Sequence, residues 1–394
     1  MKIAISGAGI AGPCLAYWLT RAGHEPTLIE AAPHLRTGGY VVDFWGLGYQ
    51  VACRMGIEST IRDLGYDVRS IRSATSGSRI RANLDTAGIR RATQDKFTSL
   101  PRGDLAAVIY STIADDVETV FSDSICTITE HDSGVSVGLL SGAQRDFDLV
   151  VGADGLHSQV RRLVFDDDAD AEHHLGCLVA AAVVKGYRPR DELVYMTYST
   201  PGHSVGRFTL RGDRTLFLFV LRSDHTTVPE STEARIALLD TEFSGAGWEC
   251  ARIIEALGEV EDLYLDVVSQ IRIDRWSQGR TVLVGDAAAC ISLLGGEGTG
   301  LAMTEAYVLA GELATHTDHR DAFAAYESAL RPLVADKQAA ARRYLSVFVP
   351  NSKPGIIFRD LCMRAMNTAP KSERLLARAF SDDFELPGYS FDCA

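Results

Sequence analysis

The sequence lacks several features that would place it in a specialised class of protein. Its eight cysteines are scattered, form no CxxC pair and do not lie beside a histidine at the spacing of a metal site. No run approaches the roughly 18 consecutive apolar residues of a membrane-spanning helix. The first residues, MKIAISGAGI, have glycines where the apolar part of a secretory signal would run. We therefore expect a cytoplasmic protein with free thiols and no metal ion.

The chain also lacks an excess of basic residues. Its 39 Lys and Arg residues are outnumbered by 52 Asp and Glu residues, which gives a net charge of −13. An acidic surface repels nucleic acid phosphates and anionic membranes, so we expect neither as a partner. The length of 394 residues suits two domains that share an interface, and a hydrophobic content of 46% is ordinary for a globular protein.

The chain does contain a glycine-rich turn close to its start. The apolar run Ile3 to Ser6 predicts a buried strand, the helical periodicity of Ile10 to Ala22 predicts a helix, and Pro26 to Glu30 predicts a second strand. The loop GAGIAG lies between the first strand and the helix. This order predicts a βαβ unit of the dinucleotide-binding type.

Each glycine of this loop has its own physical reason. Gly7 permits a tight turn, Gly9 lets the backbone approach a pyrophosphate, and Gly12 lets the helix pack closely on the strand. The positive end of the helix dipole then faces the phosphates. Glu30 lies near the roughly 20-residue offset at which an acid accepts hydrogen bonds from a ribose. This segment alone does not separate FAD from NAD.

Two later segments each place an acid beside glycine at the end of a predicted strand. They are Asp148 to Arg161, DLVVGADGLHSQVR, and Gly279 to Met303, GRTVLVGDAAACISLLGGEGTGLAM. Such an acid can hold ribityl or ribose hydroxyls, and a glycine-rich helix start can hold a pyrophosphate or the electron-rich end of a flavin ring. A simple NAD dehydrogenase has no need of them. The three segments together indicate one FAD site built from non-contiguous parts of the chain.

The rest of the sequence predicts a second layer of structure. Short β-branched and aromatic runs from Leu178 to Ser223 predict an antiparallel sheet, and Asp321 to Leu345 predicts a long amphipathic helix. We therefore predict an α/β fold: a Rossmann-like FAD-binding domain, an interleaved antiparallel-sheet substrate domain and a long C-terminal helix. The predicted divisions are 1–70, 100–165 and 274–320 for the FAD-binding domain, 71–99 and 166–273 for the substrate domain, and 321–394 for a helical region bracing the two.

The three motifs, including WSQGRTVLVGDAA, resemble those of the group A FAD-dependent monooxygenases, the para-hydroxybenzoate hydroxylase-like family. Within it the pattern is most similar to the branch of tetracycline-inactivating monooxygenases and actinobacterial tailoring hydroxylases. The resemblance covers nearly the whole chain. It implies that FAD is bound by Gly7, Gly9, Ile10, Ala11, Gly12, Glu30, Arg36, Arg102, Asp154, Gly155, Gly285, Asp286, Gly296, Gly298, Thr299 and Gly300. It also links Asp154 and Gly155 to NAD(P)H.

The resemblance implies a monooxygenase reaction. NADPH or NADH reduces FAD, which adds O2 to form a C4a-hydroperoxide that delivers one oxygen atom to an aromatic or polyketide-like secondary metabolite. The chain contains no second dinucleotide fingerprint, which fits a nicotinamide that binds transiently. The choice between NADH and NADPH therefore stays open, as does that between hydroxylation and insertion beside a ketone.

Two departures from the family pattern keep a second function open. Ala289 stands where the family often has histidine, and Leu293 stands where it has a proline near the reactive flavin carbon. Leucine does not fix φ as proline does. Both departures are compatible with a cyclase or isomerase that keeps FAD as a structural cofactor. A flavin oxidoreductase or halogenase without oxygen insertion is less favoured, because no halogenase-type tryptophan motif follows the first glycine loop.

Catalytic side chains are not indicated by any motif. Asp43 lies in Thr37 to Trp45, a loop that resembles the family's mobile segment over the flavin, and it can equally be a turn-forming acid. The other candidates lie on the predicted sheet, where packing is the alternative for each: Tyr195, Tyr198, His203, Arg207 and Arg211. The aromatic content of that sheet suits a hydrophobic small-molecule substrate or an ordinary core. The oligomeric state, monomer or homodimer, stays open.

Overall fold

The computed structural model describes residues 1–36, 40–165, 171–260, 263–292, 295–367, 376, 378 and 380–391 of the chain. Its strands are β1 (Lys2–Ser6), β2 (Glu25–Glu30), β3 (Val41–Phe44), β4 (Ser70–Ala74), β5 (Ile80–Asp85), β6 (Thr98–Pro101), β7 (Glu118–Phe121), β8 (Ile125–His131), β9 (Gly134–Leu139), β10 (Gln144–Phe147), β11 (Leu149–Gly152), β12 (Glu172–Lys185), β13 (Val194–Thr200), β14 (His203–Leu210), β15 (Arg214–Arg222), β16 (Tyr264–Ile271), β17 (Ser277–Gln278) and β18 (Thr281–Leu283). Its helices are α1 (Ala11–Arg21), α2 (Gly46–Met55), α3 (Glu58–Leu64), α4 (Ala87–Ala92), α5 (Arg102–Ser111), α6 (Gln159–Val164), α7 (Thr232–Phe243), α8 (Cys250–Leu257), α9 (Asp286–Ala289), α10 (Gly298–Thr315), α11 (His319–Phe348) and α12 (Lys353–Met366).

The first large sheet has six strands in the order β17-β18-β11-β1-β2-β7. Its pairs are parallel except for β17, which runs antiparallel to β18. Ile3, Ala4 and Ile5 in β1 are fully buried, because a parallel strand is covered by other elements on both faces. The βαβ opening predicted from the sequence is confirmed as β1, α1 and β2.

The topology of this sheet brings the three glycine-containing motifs to one edge. The strands β1, β11 and β18 are parallel neighbours, so the loops after Ser6, Gly152 and Leu283 leave the sheet on the same side. In open α/β sheets, ligands bind outside the carboxyl ends of the strands. Segments far apart in sequence therefore meet where a nucleotide cofactor is expected.

The second large sheet has seven strands in the order β16-β12-β15-β14-β13-β4-β5. All its pairs are antiparallel except β13 with β4, so the predicted antiparallel sheet is confirmed with one parallel pair. One face packs against α7 and α8 through residues such as Phe217 and Phe243. On the other face, Phe208 and Leu216 pack with Tyr40 and Val41, which come from the loop before β3 and from β3 itself.

The long C-terminal helix α11 contacts both sheets. Near its start, the ring of Tyr326 lies 5.5 Å from that of Trp276, just before β17. Near its end, Leu345 packs with Val179 and Val220 of the second sheet. The predicted α/β architecture with an interleaved antiparallel sheet and a long C-terminal helix is confirmed. No helix in the described ranges is long and apolar enough to cross a membrane.

We keep the division of the chain into domains as a proposal. Residues 1–70, 100–165 and 274–320 would form the first domain, 71–99 and 166–273 the second, and 321–394 the brace. The two large sheets support it, because each draws its strands from one of these sets of segments, apart from the first residue of β4. Helix α12 lies in the predicted C-terminal helical region and packs on the edge of the second sheet, where Asp360 accepts a hydrogen bond from Ser73 Oγ at 3.2 Å.

Candidate cofactor and substrate site

The three glycines of the first motif face different surroundings. A Cβ added to Gly7, whose φ is +103°, would lie 2.6 Å from the carbonyl oxygen of Ala153, and one added to Gly12 would lie 2.0 Å from the oxygen of Gly7. The missing side chains of Gly7 and Gly12 therefore allow other parts of the chain to pack closely against this loop. A Cβ on Gly9 would meet, among the described residues, only the Arg102 guanidinium at 3.7 Å. Gly9 thus borders open space of the kind that a ligand fills.

Glu30 holds the first motif in place. Its Oε2 accepts the N–H of Ala8 at 2.7 Å, and its Oε1 accepts the N–H of Ala32 at 2.9 Å. Each carboxylate oxygen has a further lone pair, which can accept a ribose hydroxyl. Arg36 is exposed and directly precedes residues 37–39, which lie outside the described part of the chain.

Asp154 is engaged by the protein itself. Its carboxylate accepts hydrogen bonds from Ser158 Oγ at 2.5 Å, from Ser6 Oγ at 3.2 Å, and from the N–H groups of Gln159 and Val160 at 2.9 and 3.1 Å. It therefore satisfies donors at the start of α6, as an N-terminal cap does. Its role toward FAD and NAD(P)H, and that of the neighbouring Gly155, stays a prediction.

We expect Asp154→Ala to lower stability more than cofactor affinity. Four accepted hydrogen bonds are lost, and leaving such donors unpaired costs about 1–3 kcal/mol in free energy of unfolding. Thermal unfolding with and without saturating FAD measures the effect, with Ser158→Ala as the smaller matched change, worth about 1 kcal/mol. An unchanged melting temperature together with loss of FAD would mean that Asp154 acts on the cofactor directly.

The second and third motifs are tied together by a buried arginine. Arg161 in α6 is 3% exposed and donates to the carbonyl oxygens of Leu156 at 2.8 Å and Ala287 at 3.0 Å. The turn of the third motif depends on Gly285, whose φ of +65° and ψ of −143° are open only to glycine. Asp286 then begins α9.

The start of α10 faces Asp286. A Cβ on Gly298 would lie 3.8 Å from Asp286 Oδ1, and one on Gly48 would lie 2.3 Å from the Cα of Gly300. The start of α10 therefore lies close both to Asp286 and to the start of α2. Ala289 is buried in α9, Gly296 has a φ of +72°, and Leu293 lies outside the described residues.

Several titratable side chains from the FAD-motif side and from the second sheet interact electrostatically with one another, and we infer that they line a cavity between the two large sheets. Tyr40, Asp43, Tyr195, Tyr264 and Asp286 are partly or largely accessible, yet enclosure by the surrounding protein raises the pKa of each, that of Tyr40 to about 12. The Arg102 guanidinium opposes this rise at Tyr40, Tyr264 and Asp286. A side chain that is accessible although surrounded by protein lies on a cavity wall.

The residues on this wall fit FAD. A cation, Arg102, stands beside the open face of Gly9, where a pyrophosphate needs a counter-charge. Next to the start of α10, an open pocket is lined by residues that include Asp43, Trp45, Gly300, Thr304 and Lys337. A helix start and an acid at the end of a strand are the groups that hold phosphate and sugar hydroxyls.

Three of the six catalytic candidates lie on the face of the second sheet away from this cavity: Tyr198, His203 and Arg207. Side chains alternate between faces along a strand, so Tyr195 and Tyr198, three residues apart, point to opposite sides. Tyr198 donates to the Ala246 carbonyl oxygen, and His203 Nε2 lies 2.7 Å from Glu242 Oε2.

The two arginine candidates are also engaged elsewhere. Arg207 is 2% exposed and pairs with Asp191 at 2.8 Å and Glu249 at 3.2 Å. Arg211, in the turn after β14, donates to the carbonyl oxygens of Leu64 and Gly65, both at 2.6 Å. We therefore do not carry these four side chains into the proposed mechanism.

Asp43 and Tyr195 do face the cavity. Ser99 Oγ donates to Asp43 from the neighbouring strand β6, and the charge of Asp43 raises the pKa of Tyr195 further. Tyr195 stacks on Phe208 with ring centroids 4.6 Å apart. These two remain the catalytic candidates.

The sequence did not single out two further wall residues. Tyr40 and Tyr264 have ring centroids 5.8 Å apart, and Tyr264 comes from β16 at the edge of the second sheet. Its neighbour Asp266 lies 3.3 Å from Nε2 of His157 in the second motif and raises the pKa of that histidine. Tyr40 belongs to the loop Thr37 to Trp45, whose sequence resembles the family's mobile segment over the flavin. No local sequence pattern marks Tyr264 as a site residue.

Comparison with known proteins agrees with this geometry. The family model described as "FAD binding domain" matches residues 1–339. A flavin-dependent monooxygenase from an unknown prokaryotic organism is 34% identical over 86% of this chain and 88% of its own, and one from Legionella longbeachae is 31% identical over 99% and 98%. The crystal structure of tetracycline destructase Tet(55) superposes with a TM-score of 0.84, at 30% identity over 98% of both chains.

The chain therefore belongs to the FAD binding domain family and, within it, to the group A FAD-dependent monooxygenases. It is an oxidoreductase whose cofactor is FAD. The class implied by the three sequence motifs is thus confirmed.

Proposed function

We propose that this enzyme consumes NADPH or NADH and O2 to place one oxygen atom on a hydrophobic aromatic or polyketide-like molecule. The observation that carries the proposal is the shared cavity. Its walls come from the FAD-motif side through Arg102 and Asp286 and from the second sheet through Tyr195 and Tyr264. A substrate on the sheet would therefore lie beside the cofactor.

FAD, when bound, supplies the redox chemistry: it takes electrons from the nicotinamide and activates O2. For the chain's own residues we propose these roles. Glu30 accepts the ribose hydroxyls, Arg102 neutralises the pyrophosphate beside Gly9, and Asp286 accepts hydroxyls of the ribityl chain. The backbone N–H groups at the start of α10 face the electron-rich end of the flavin ring.

The second sheet offers the substrate an apolar surface. Val41, Tyr195, Leu218 and Tyr264 are partly accessible and pack on the core that includes Phe208. Flat apolar walls favour a planar molecule, and their contact area also excludes water, which protects a reactive oxygen species from wasteful decay.

Asp43 gives this surface a polar group. Because enclosure raises its pKa, its carboxyl holds a proton to higher pH than an exposed aspartate does. We propose that Asp43 donates a hydrogen bond to the bound substrate or hands it a proton. The expected result of Asp43→Asn is full FAD content with slower turnover.

A pair of leucine variants tests whether substrate occupies this cavity. Leu218→Trp would fill the accessible surface on the cavity side, whereas Leu238→Trp is the same change on α7, against the opposite face of the sheet. The readout is NAD(P)H oxidation stimulated by a panel of planar compounds, including a tetracycline because Tet(55) is a tetracycline destructase. We expect at least a tenfold loss of stimulation in Leu218→Trp only, at unchanged FAD content. Equal loss in both variants would contradict the assignment.

A further inference from the structure

Glu305 is a buried acid at the cofactor site. It lies on α10 at 0% exposure, one layer behind the third motif. Its Oε2 accepts the N–H of Gly285 at 2.5 Å and the hydroxyl of Tyr326 at 3.4 Å. Its Oε1 has no hydrogen-bond partner within the described residues. Of the residues assigned above to FAD, only Gly285 takes part in these hydrogen bonds.

Glu305 accepts the N–H of Gly285, and Gly285 belongs to the turn that orients Asp286. Gly285 adopts a backbone conformation open only to glycine and directly precedes Asp286. A Cβ on Gly285 would lie 3.2 Å from Cβ of Ala11 and 3.4 Å from Cβ of Ala302, so the turn is packed between α1 and α10. The hydrogen bond from Gly285 to Glu305 therefore fixes the turn that presents Asp286 to the cofactor.

The surroundings of Glu305 disfavour its negative charge. Burial is the main cause that raises its pKa, to about 8, and the charge of Asp286 on α9 raises it further. The N–H of Gly285 and the hydroxyl of Tyr326 on α11 oppose this rise. Asp286 and Tyr326 are the titratable groups that face it from the packed elements. At neutral pH the surroundings of the side chain therefore favour its uncharged form.

We propose that Glu305 is a positioning residue of the FAD site: as a neutral acid it holds the Gly285–Asp286 turn, and its ionisation weakens the binding of FAD. The pyrophosphate of FAD is anionic, and the Asp286 carboxyl also carries a negative charge when it is ionised. A third negative charge behind the turn repels both and loosens the site. This inference rests on the FAD site and not on the proposed oxygen transfer.

The sign of the pH dependence follows from linkage. Bound FAD disfavours the ionised form, so the pKa of Glu305 is higher in the complex than in the apoprotein. Affinity is then constant below about pH 8 and falls above it, by at most tenfold per pH unit, because one proton is taken up on binding.

The test is titration of the apoprotein with FAD, followed by flavin fluorescence from about pH 6.5 to about pH 9.5. Wild type is expected to lose at least fivefold in affinity above pH 8. Glu305→Gln keeps an oxygen that accepts the Gly285 N–H and cannot ionise, so it should bind FAD within about threefold of wild type at pH 7 and show a flat profile. Glu312→Gln, on the same helix, should keep the wild-type profile.

Two results would overturn the inference. One is the same fall in affinity in Glu305→Gln as in wild type, and the other is a loss of more than tenfold in that variant at pH 7. A second readout needs no variant: in weak buffer near pH 8.5, wild type should take up protons on adding FAD, and no uptake would contradict the proposal. Because turnover is not measured, a failed oxygen transfer leaves both tests intact.

Discussion

Asp286→Ala is expected to yield a folded protein that purifies without FAD. We assign the carboxylate of Asp286 to the cavity wall, and the Cys290 thiol of its own segment is a hydrogen-bond partner. We expect the fold to depend little on the Asp286 side chain. Burial raises its pKa, which means that the ionised carboxylate lowers the stability of the apoprotein. Hydrogen bonds to a charged acceptor are worth about 1.5–3 kcal/mol each, so we expect FAD to bind roughly 10- to 100-fold more weakly.

The measurement is the ratio of flavin to protein absorbance after purification, followed by a fluorescence titration. Asp286→Asn is the graded control, because it keeps an acceptor oxygen and loses only the charge; we expect an intermediate affinity. Full FAD content in Asp286→Ala, with an unchanged melting temperature, would remove Asp286 from the cofactor site.

The second large effect separates two glycines of the same loop. Gly9→Val places a side chain in the open space beside Arg102, where we assign the pyrophosphate, at a residue whose φ is not in the left-handed region. Gly12→Val instead drives a Cβ to 2.0 Å from the Gly7 oxygen. We expect Gly9→Val to fold without FAD and Gly12→Val to fail to fold, since that overlap exceeds the overpacking that costs about 1–3 kcal/mol in cores.

Circular dichroism and thermal unfolding of the two variants, beside their flavin content, check this difference. Gly9→Ala is the milder control, because its Cβ would lie 3.7 Å from Arg102 Nη2 and should lower FAD content only in part. If Gly9→Val unfolds as readily as Gly12→Val, the open space beside Gly9 is not a ligand site.

The parts of the fold that local pattern determines were predicted well. The βαβ opening needs only a short apolar run, a glycine loop and a helical period, and all three lie within the first thirty residues. Helix ends were harder. The sequence of Gln50 to Leu64 predicts one helix, but Gly56, with a φ of +75°, ends α2 and leaves α3 to begin at Glu58. The sequence of Ser231 to Ala256 also predicts one helix, which in the structure divides into α7 and α8 around Gly247.

The candidate site likewise contains residues that the sequence identifies and residues that only the fold brings together. Motif residues such as Gly9 and Asp286 carry their own local signal, whereas the faces of the second sheet depend on which strands pair and in which register. Tyr195 and Tyr198 therefore look equivalent in sequence and differ in the fold. Tyr40 and Tyr264 meet only because two sheets pack, which no local pattern contains.

The central claim is that this protein uses FAD for redox chemistry, and the visible spectrum under nitrogen tests it most directly. The purified protein is mixed with NADPH, with NADH and finally with dithionite, alone and with each compound of the planar panel. We predict flavin bands that a nicotinamide bleaches, fastest with a compound that binds the cavity, and that return when O2 is admitted. Bands that bleach only with dithionite in every mixture would contradict the account and favour an FAD that serves as a structural cofactor.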